Sequence, residues 1–314
     1  MSSSPIPEYE AILQQRLPAA FMAELRAPVI EPLAYAPWQT ADVSVDVLPC
    51  DRVHPVISGN KWYKLKFNLV AAWQQDCNTL ASFGGAWSNH LHALAYCANR
   101  LGMNSIGYVR GDELDADANP MLRDAQAWGM ELRFLTREQY RNKQVALDAT
   151  TWLIPEGGDN EWGVLGCTTL LTPEQAAAYD VVVLPWGTGC TCIGVWRAVT
   201  HVTRLWGVSV LKGDWPARQF ADYRHAHPQP DSRPAEILTT YHCGGYGRTT
   251  AELLSFIRKF GDNTGLSLDP VYSGKALFAL DERIRKQALP AGSRVLFIHT
   301  GGLQGVRGFQ SLTG

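Results

Sequence analysis

The sequence has no excess of basic residues: 28 lysines and arginines stand against 30 acidic residues, a formal net charge of −2. Proteins that neutralise a phosphate backbone carry a basic surplus, so nucleic acid is not the expected partner. Long apolar runs are missing too. No segment reaches the roughly 18 uncharged apolar residues of a membrane span, and the opening "MSSSPIPEYEAILQQRLP" has no positive stretch leading into an apolar one. A cytoplasmic protein without membrane contact is expected. Cysteine is sparse, seven in 314 residues, an odd count that makes no disulfide framework. Cys190 with Cys192, His90 with His92, and His242 with Cys243 lack structural-zinc spacings, so no metal is expected and the cysteines read as reduced thiols. Neither G-x-x-x-x-G-K-[ST] nor G-x-G-x-x-G occurs, and no acidic residue follows an early strand at the dinucleotide spacing. A nucleoside triphosphate site and a nicotinamide dehydrogenase are thereby disfavoured.

What is present suits a large core. Apolar residues make up 46% of the chain, charged residues 18%, and eleven tryptophans add bulk. The length suggests about two domains. Short apolar runs ending in glycines and followed by helical patterns mark strand-to-helix units of a parallel sheet. "NTLASFGG" leads into a helix from Asn89, whose apolar stripe of Leu91, Leu94, Ala95, Ala98 and Leu101 stops at Gly102. "NSIGYVRG" and "MELRFLT" read as strands around the helix "NPMLRDAQAWG". "YDVVVLPWGTGCTCIGVWRAVTHV" repeats the unit, and "AEILTTYH" and "RVLFIHTGG" are further strands. Residues 212–234, rich in proline and charge, read as a surface excursion.

Three turns carry candidate chemistry. "GTGCT", residues 187–191, sits between a strand and a helix, where backbone N–H groups and the helix dipole favour phosphate; a tight turn that simply needs glycine fits equally well. "SGNKWYKLKFNL" places Lys61 after a small polar turn. Alone, such a lysine reads first as a solvated charge; the alternative is an imine-forming amine with Lys64 one helical turn away. In "SFGGAWSNH", Ser88 and Asn89 open a helix, where a serine can cap backbone N–H groups, receive a carboxylate, or both.

"SGNKWYKL", "GGAWSNH", "GTGCT", "YSGK" and "HTGG", in this order, resemble the pyridoxal-phosphate enzymes grouped as 1-aminocyclopropane-1-carboxylate deaminase and D-cysteine desulfhydrase. The resemblance runs from about Val43 to Leu303. It implies a tryptophan-synthase-β-like fold of type II: a two-domain, three-layer α/β/α structure with parallel-rich sheets. The expected division is a large domain of residues 1–64 and 176–314 and a small inserted domain of residues 65–175, with the cofactor between them. Homodimers are usual in such enzymes.

By the same resemblance, Lys61 bonds the aldehyde of pyridoxal 5′-phosphate and Asn89 pairs with its 3′ oxygen. Gly187, Thr188, Gly189, Cys190 and Thr191 form the phosphate loop, Lys64 adds a phosphate contact, and Thr300 faces the pyridine nitrogen. Ser88 is the active-site serine, Tyr272 the acid–base or nucleophilic tyrosine, and Tyr246 a substrate-placing one. A lone tyrosine would read as core, and it is the adjacent glycines and the resemblance that move both to the site.

Departures from the pattern point to the substrate. Cyclopropane deaminases carry a glutamate after the catalytic tyrosine, where this chain has Ser273, and Thr300 is neutral. Without an anion the pyridine ring is a weaker electron sink, which favours α,β-elimination on a small amino acid over ring opening. D-cysteine desulfhydrase chemistry is therefore expected, giving a 2-oxo acid and ammonia. The cyclopropane deaminase is the alternative, and a non-catalytic cofactor-binding protein, which needs neither Ser88 nor Tyr272, is another. Trp87 stands where a glutamine is usual and Tyr63, beside Trp62, where an arginine is common, so the substrate pocket is expected to be reshaped.

Overall fold

The structure is a computed structural model and describes residues 4–200, 202–229 and 233–309. In chain order its strands are β1 (Glu31–Pro32), β2 (Ser44–Pro49), β3 (Thr79–Gly84), β4 (Asn104–Arg110), β5 (Met130–Leu135), β6 (Thr151–Ile154), β7 (Val181–Trp186), β8 (Arg204–Ser209), β9 (Ala235–Leu238) and β10 (Arg294–His299). The first helices are α1 (Ile6–Arg16), α2 (Ala19–Glu24), α3 (Ala36–Thr40), α4 (Lys61–Gln74), α5 (Asn89–Arg100), α6 (Pro120–Ala127) and α7 (Arg137–Asn142). The others are α8 (Glu161–Cys167), α9 (Pro173–Ala177), α10 (Cys190–Ala198), α11 (Trp215–Ala226), α12 (Ala251–Thr264) and α13 (Ser273–Arg285). Among the described residues, no helix is long and apolar enough to cross a membrane.

The chain forms two compact units, residues 1–26 with 53–166 and residues 27–52 with 167–314. The first holds a four-stranded sheet, all parallel, in the order β5-β4-β3-β6. Its two faces are buried by alternation along β4. Ile106 and Tyr108 join Phe83 and the α7 residue Tyr140, while Val109 meets Leu91 of α5 and Leu122 of α6. Burial on both faces makes three layers, and explains the near-continuous apolar strands in the sequence.

The second unit holds a six-stranded sheet in the order β1-β2-β10-β7-β8-β9, parallel except for the β1–β2 pair. On one face Val181, Val183, Trp206, Val208, Val295 and Phe297 pack with Phe256 and Phe260 of α12 and Leu277 and Leu280 of α13. The alternate residues Val182, Leu184, Leu205, Leu296 and Ile298 are buried as well.

The unit boundaries depart from the expected ones at residues 64/65 and 175/176. Residues 1–26 belong with the smaller sheet because their aromatics pack there: Tyr9 meets Phe67 of α4 at 5.4 Å and Phe21 meets Trp62 at 5.7 Å. Glu24 accepts hydrogen bonds from Tyr96 and Arg100 and pairs with His54. Trp62 is thereby a core side chain. Residues 212–234, read as a surface excursion, instead carry α11, which starts with Pro216 in its first turn and buries Phe220 edge-on against Trp186 and Trp196.

One close approach holds the start of α4. A Cβ added to Gly166 would lie 1.9 Å from the carbonyl oxygen of Tyr63. That oxygen belongs to backbone and cannot swing away. We expect Gly166→Ala to lower the unfolding free energy in urea by about 3 kcal/mol or more, far beyond a surface substitution. A loss below about 0.5 kcal/mol would show that α8 shifts freely against α4.

Candidate active site

In the first unit the candidate residues gather where α4 and α5 begin. Lys61 is the first residue of α4, and its Nζ donates to Oδ1 of Asn60, the residue before the helix. Lys64, one turn on and only 5% exposed, donates its Nζ to the carbonyl of Gly157 at 2.7 Å. Ser88 caps α5, its Oγ accepting from the Leu91 N–H at 3.2 Å, so the capping role stands beside any catalytic one.

Asn89 and His90 follow on the first turn of α5. Asn89 Oδ1 and both ring nitrogens of His90 are buried without a hydrogen-bond partner. Buried polar atoms are almost always paired, so these three mark a place where a polar ligand fits. Burial, reinforced by Lys64 and then Lys61, pulls the His90 imidazole down to about 3. At working pH His90 is neutral. Burial raises the neighbouring Asp159 carboxyl, against the opposing pull of Lys64.

In the second unit the turn 187–191 joins β7 to α10, at the carboxyl end of the sheet where open parallel sheets bind ligands. Gly189 has φ 98°, and a Cβ there would lie 2.6 Å from the Trp186 ring, so glycine is required. It has no side chain to cap α10, the arrangement in which a bound phosphate takes the cap's place. Thr188 accepts from Gln219 Nε2 through its carbonyl at 3.0 Å, and Cys190 and Thr191 are buried in the first turn of α10. Thr300 follows β10, the parallel neighbour of β7, and is buried at the same sheet end.

Tyr272 reaches this turn. A Cβ on Gly187 would lie 3.1 Å from the Tyr272 ring, and the Tyr272 hydroxyl donates to the Tyr246 hydroxyl at 3.3 Å. Asp269 anchors the segment: its carboxylate accepts from the N–H groups of Val271, Tyr272 and Ser273 and from Ser273 Oγ. Ser273 is fully buried and engaged in that contact.

Sequence reasoning did not assign Lys275, though it lies within "YSGK". Its fully buried ammonium donates at 2.8 Å to the carbonyls of both His242 and Gly245, tying the loop that carries Tyr246 to α13. Burial draws its pKa down to about 8. His90 was weighed only as a metal ligand with His92 and given no role in the site, although it is the last letter of "SNH". Trp87 is 38% exposed on the turn before α5, a bulky ring beside Ser88.

The structure thus joins Lys61, Lys64, Ser88 and Asn89 within one unit, and Gly187–Thr191, Tyr246, Tyr272 and Thr300 within the other. Within the first unit the buried unpaired side-chain oxygen of Asn89 suits a polar ligand, and within the second the uncapped glycine turn suits a phosphate.

The family model described as pyridoxal-phosphate dependent enzyme matches residues 31–301. An Arabidopsis thaliana protein named bifunctional D-cysteine desulfhydrase/1-aminocyclopropane-1-carboxylate deaminase, mitochondrial, is 30% identical over 286 residues, covering 80% of this chain and 70% of that protein. A Serratia proteamaculans protein named D-cysteine desulfhydrase is 28% identical over 279 residues, covering 80% of this chain and 84% of its own. The crystal structure of an ACC deaminase homologue superposes with a TM-score of 0.76 over 98% of this chain and 99% of that one, at 24% identity.

Proposed function

The chain belongs to the pyridoxal-phosphate dependent enzyme family, and on that premise we propose that it is a lyase of the D-cysteine desulfhydrase type. It would split a small amino acid by α,β-elimination into a 2-oxo acid, ammonia and the departing β-substituent. For D-cysteine, the Cα–H and Cβ–S bonds break, water replaces the amino group, and pyruvate, ammonia and hydrogen sulfide leave. When bound, the cofactor supplies an aldehyde that engages amines and a ring that draws electrons from the α-carbon.

The chain's own groups divide the rest of the work. Lys61 Nζ would be the amine that engages the aldehyde, and as a free amine it would take the α-proton. Ser88 and the start of α5 receive the substrate carboxylate. Asn89 would pair with the 3′ oxygen, the 187–191 turn and Lys64 would hold the phosphate, and Thr300 would face the ring nitrogen. Tyr272, bonded to Tyr246, moves a proton at the departing group.

The observation that carries elimination over ring opening is Ser273. At the position where cyclopropane deaminases have a glutamate, this chain buries a serine whose hydroxyl is engaged by Asp269, and Asp269 already accepts from three backbone N–H groups. No carboxylate there is available to a protonated pyridine nitrogen, so a substrate with a good leaving group suits the site. The same reading carries the expectation of a cytoplasmic homodimer.

The test is to supply the loaded protein separately with D-cysteine and with 1-aminocyclopropane-1-carboxylate. Pyruvate and sulfide are expected from the first and no 2-oxobutanoate from the second. The reverse outcome would transfer the chain to the deaminases, and no product from any β-substituted amino acid would leave a cofactor-binding protein without catalysis.

A further inference from the structure

The first unit contains a cavity of about 560 Å³ lined by Arg110, Arg137, Tyr140, Arg141, Lys143 and Glu156. Four cations face a single carboxylate there, in a chain whose net charge is −2. The one carboxylate is engaged, since Glu156 pairs with Lys143 at 2.8 Å. Among the described residues Arg110, Arg137 and Arg141 have no carboxylate partner. Glu138, beside Arg137 in the chain, does not line the cavity.

The place is one where ligands bind. Arg110 closes β4, α7 begins two residues after β5 ends, and Glu156 follows β6, so the cavity lies at the carboxyl ends of parallel strands. Its volume falls within the span of small-molecule sites. It is also held in shape. Lys143 Nζ lies 3.4 Å from the centre of the Tyr140 ring and 4.5 Å from that of Phe83, and the Arg110 guanidinium lies 5.8 Å from the Tyr140 ring. Two cations therefore share one buried ring, each attracted to it and repelled by the other.

Local stability argues against this arrangement unless something answers the charge. Arg137 and Arg141 are four residues apart on the six-residue α7, a like-charge pair that weakens a helix. Lys143 ends that helix at φ 52°, in the left-handed region where glycine or asparagine is favoured. A ligand carrying negative charge would relieve both repulsions. Guanidinium groups pair with carboxylates and phosphates through two parallel hydrogen bonds, which sets the chemistry.

We infer that this cavity binds a small organic polyanion, a molecule with two or more carboxylate or phosphate groups. Such a ligand has two sources. It is either a free effector or the acidic end of a substrate, since Arg110 Nη2 lies 3.8 Å from where a Cβ on Gly85 would sit, in the turn that carries Ser88. The binding itself does not depend on the desulfhydrase reading.

The test uses the full chain saturated with pyridoxal phosphate, so that added anions do not enter the cofactor's phosphate site. Citrate and pyrophosphate are titrated in by calorimetry, with acetate as the single-charge comparison. One saturable site is expected for the two polyanions, weakened at least about tenfold in Arg137→Ala and in Arg141→Ala, both exposed positions. Glu156→Gln should tighten it, because the substitution removes the only competing carboxylate. No binding of either polyanion, or equal binding by the parent and both arginine variants, overturns the inference. Citrate that raises KM for D-cysteine without changing kcat makes the ligand a substrate end; citrate that binds and leaves KM unchanged makes it an effector. Both results support the site, and loss of desulfhydrase activity altogether leaves the calorimetric readout intact.

Discussion

Replacing Lys61 by alanine abolishes the visible absorption of the loaded protein and lowers turnover by at least about 10³-fold. The expectation follows from where the residue stands. Lys61 is the first residue of α4, half-buried, with its Nζ held by the side chain of Asn60. Removing the side chain takes away the only group proposed to bond the aldehyde and to take the α-proton. It should leave the helix intact, because alanine is the best helix former and the first turn loses no backbone bond. Stability is therefore expected to stay within about 1 kcal/mol of the parent.

Two companion variants separate covalency from charge. Lys61→Arg keeps a cation but offers no amine to the aldehyde, so it should fail as completely as alanine. Lys64→Ala removes the neighbouring ammonium and should keep the absorption band while demanding at least about tenfold more cofactor to fill the site. The deciding measurements are a visible spectrum and the mass of the protein after borohydride treatment. A Lys61→Ala protein that still shows the band, or a borohydride adduct on another lysine, would move the chemistry away from α4 and take the assignments of Ser88 and Asn89 with it.

The sequence displayed some of this and concealed the rest for physical reasons. Strands β3, β4, β7 and β10 were legible because strands buried on both faces need near-continuous apolar runs, and the edge strands β5 and β9 were legible as short runs in which apolar and charged residues mix. Strand β8 was not, since "RLWGVS" follows α10 so closely that the helix reads on into it. Helix α11 was masked by Pro216, which marks a break in mid-helix but suits a first turn. The unit boundaries depended on packing between distant segments, such as Tyr9 on Phe67 and β2 alongside β10.

The candidate site divided in the same way. Lys61, Ser88, the glycine turn and Tyr272 could be singled out as candidates because each lies in a short motif, and the motifs together, in their order, carry the resemblance. Asp269 and Lys275 act through burial and hydrogen bonds to backbone, and no spacing announces that a lysine will have two carbonyl partners and no exposure. The arginine cavity draws on separate stretches near residues 110, 140 and 156, none of which carries a motif.

His90 offers the other large effect, a loss of stability in mild acid. Its ring is 2% exposed and its two nitrogens have no protein partner. Gly158 lies against it, within 3.3 Å of the ring when measured from an added Cβ, and Lys64 and Lys61 press on it with like charge. Proton uptake in the folded state is consequently pushed from the ordinary 6.5 to about 3. The unfolded chain takes up the proton near 6.5, so between these values it binds more protons than the folded one and acid favours unfolding. Stability from this group is complete above 6.5, falls as the pH drops below it, and levels off near 3. At about 1.4 kcal/mol per unit the full span approaches about 5 kcal/mol, of which about 2 kcal/mol is lost between pH 7 and pH 5.

Urea unfolding of the parent and of His90→Gln at those two pH values measures it. The parent should lose about 2 kcal/mol more than the variant, whatever pH-independent packing change glutamine introduces. His54, which burial also pulls down against the opposing effect of the hydrogen bond it donates to Glu24, titrates in both proteins and cancels in the comparison. Equal losses would mean that water reaches the His90 ring and that the turn at Gly157 and Gly158 does not seal it. The unpaired nitrogens would then mark a solvated pocket, and the argument that they await a polar ligand would fall.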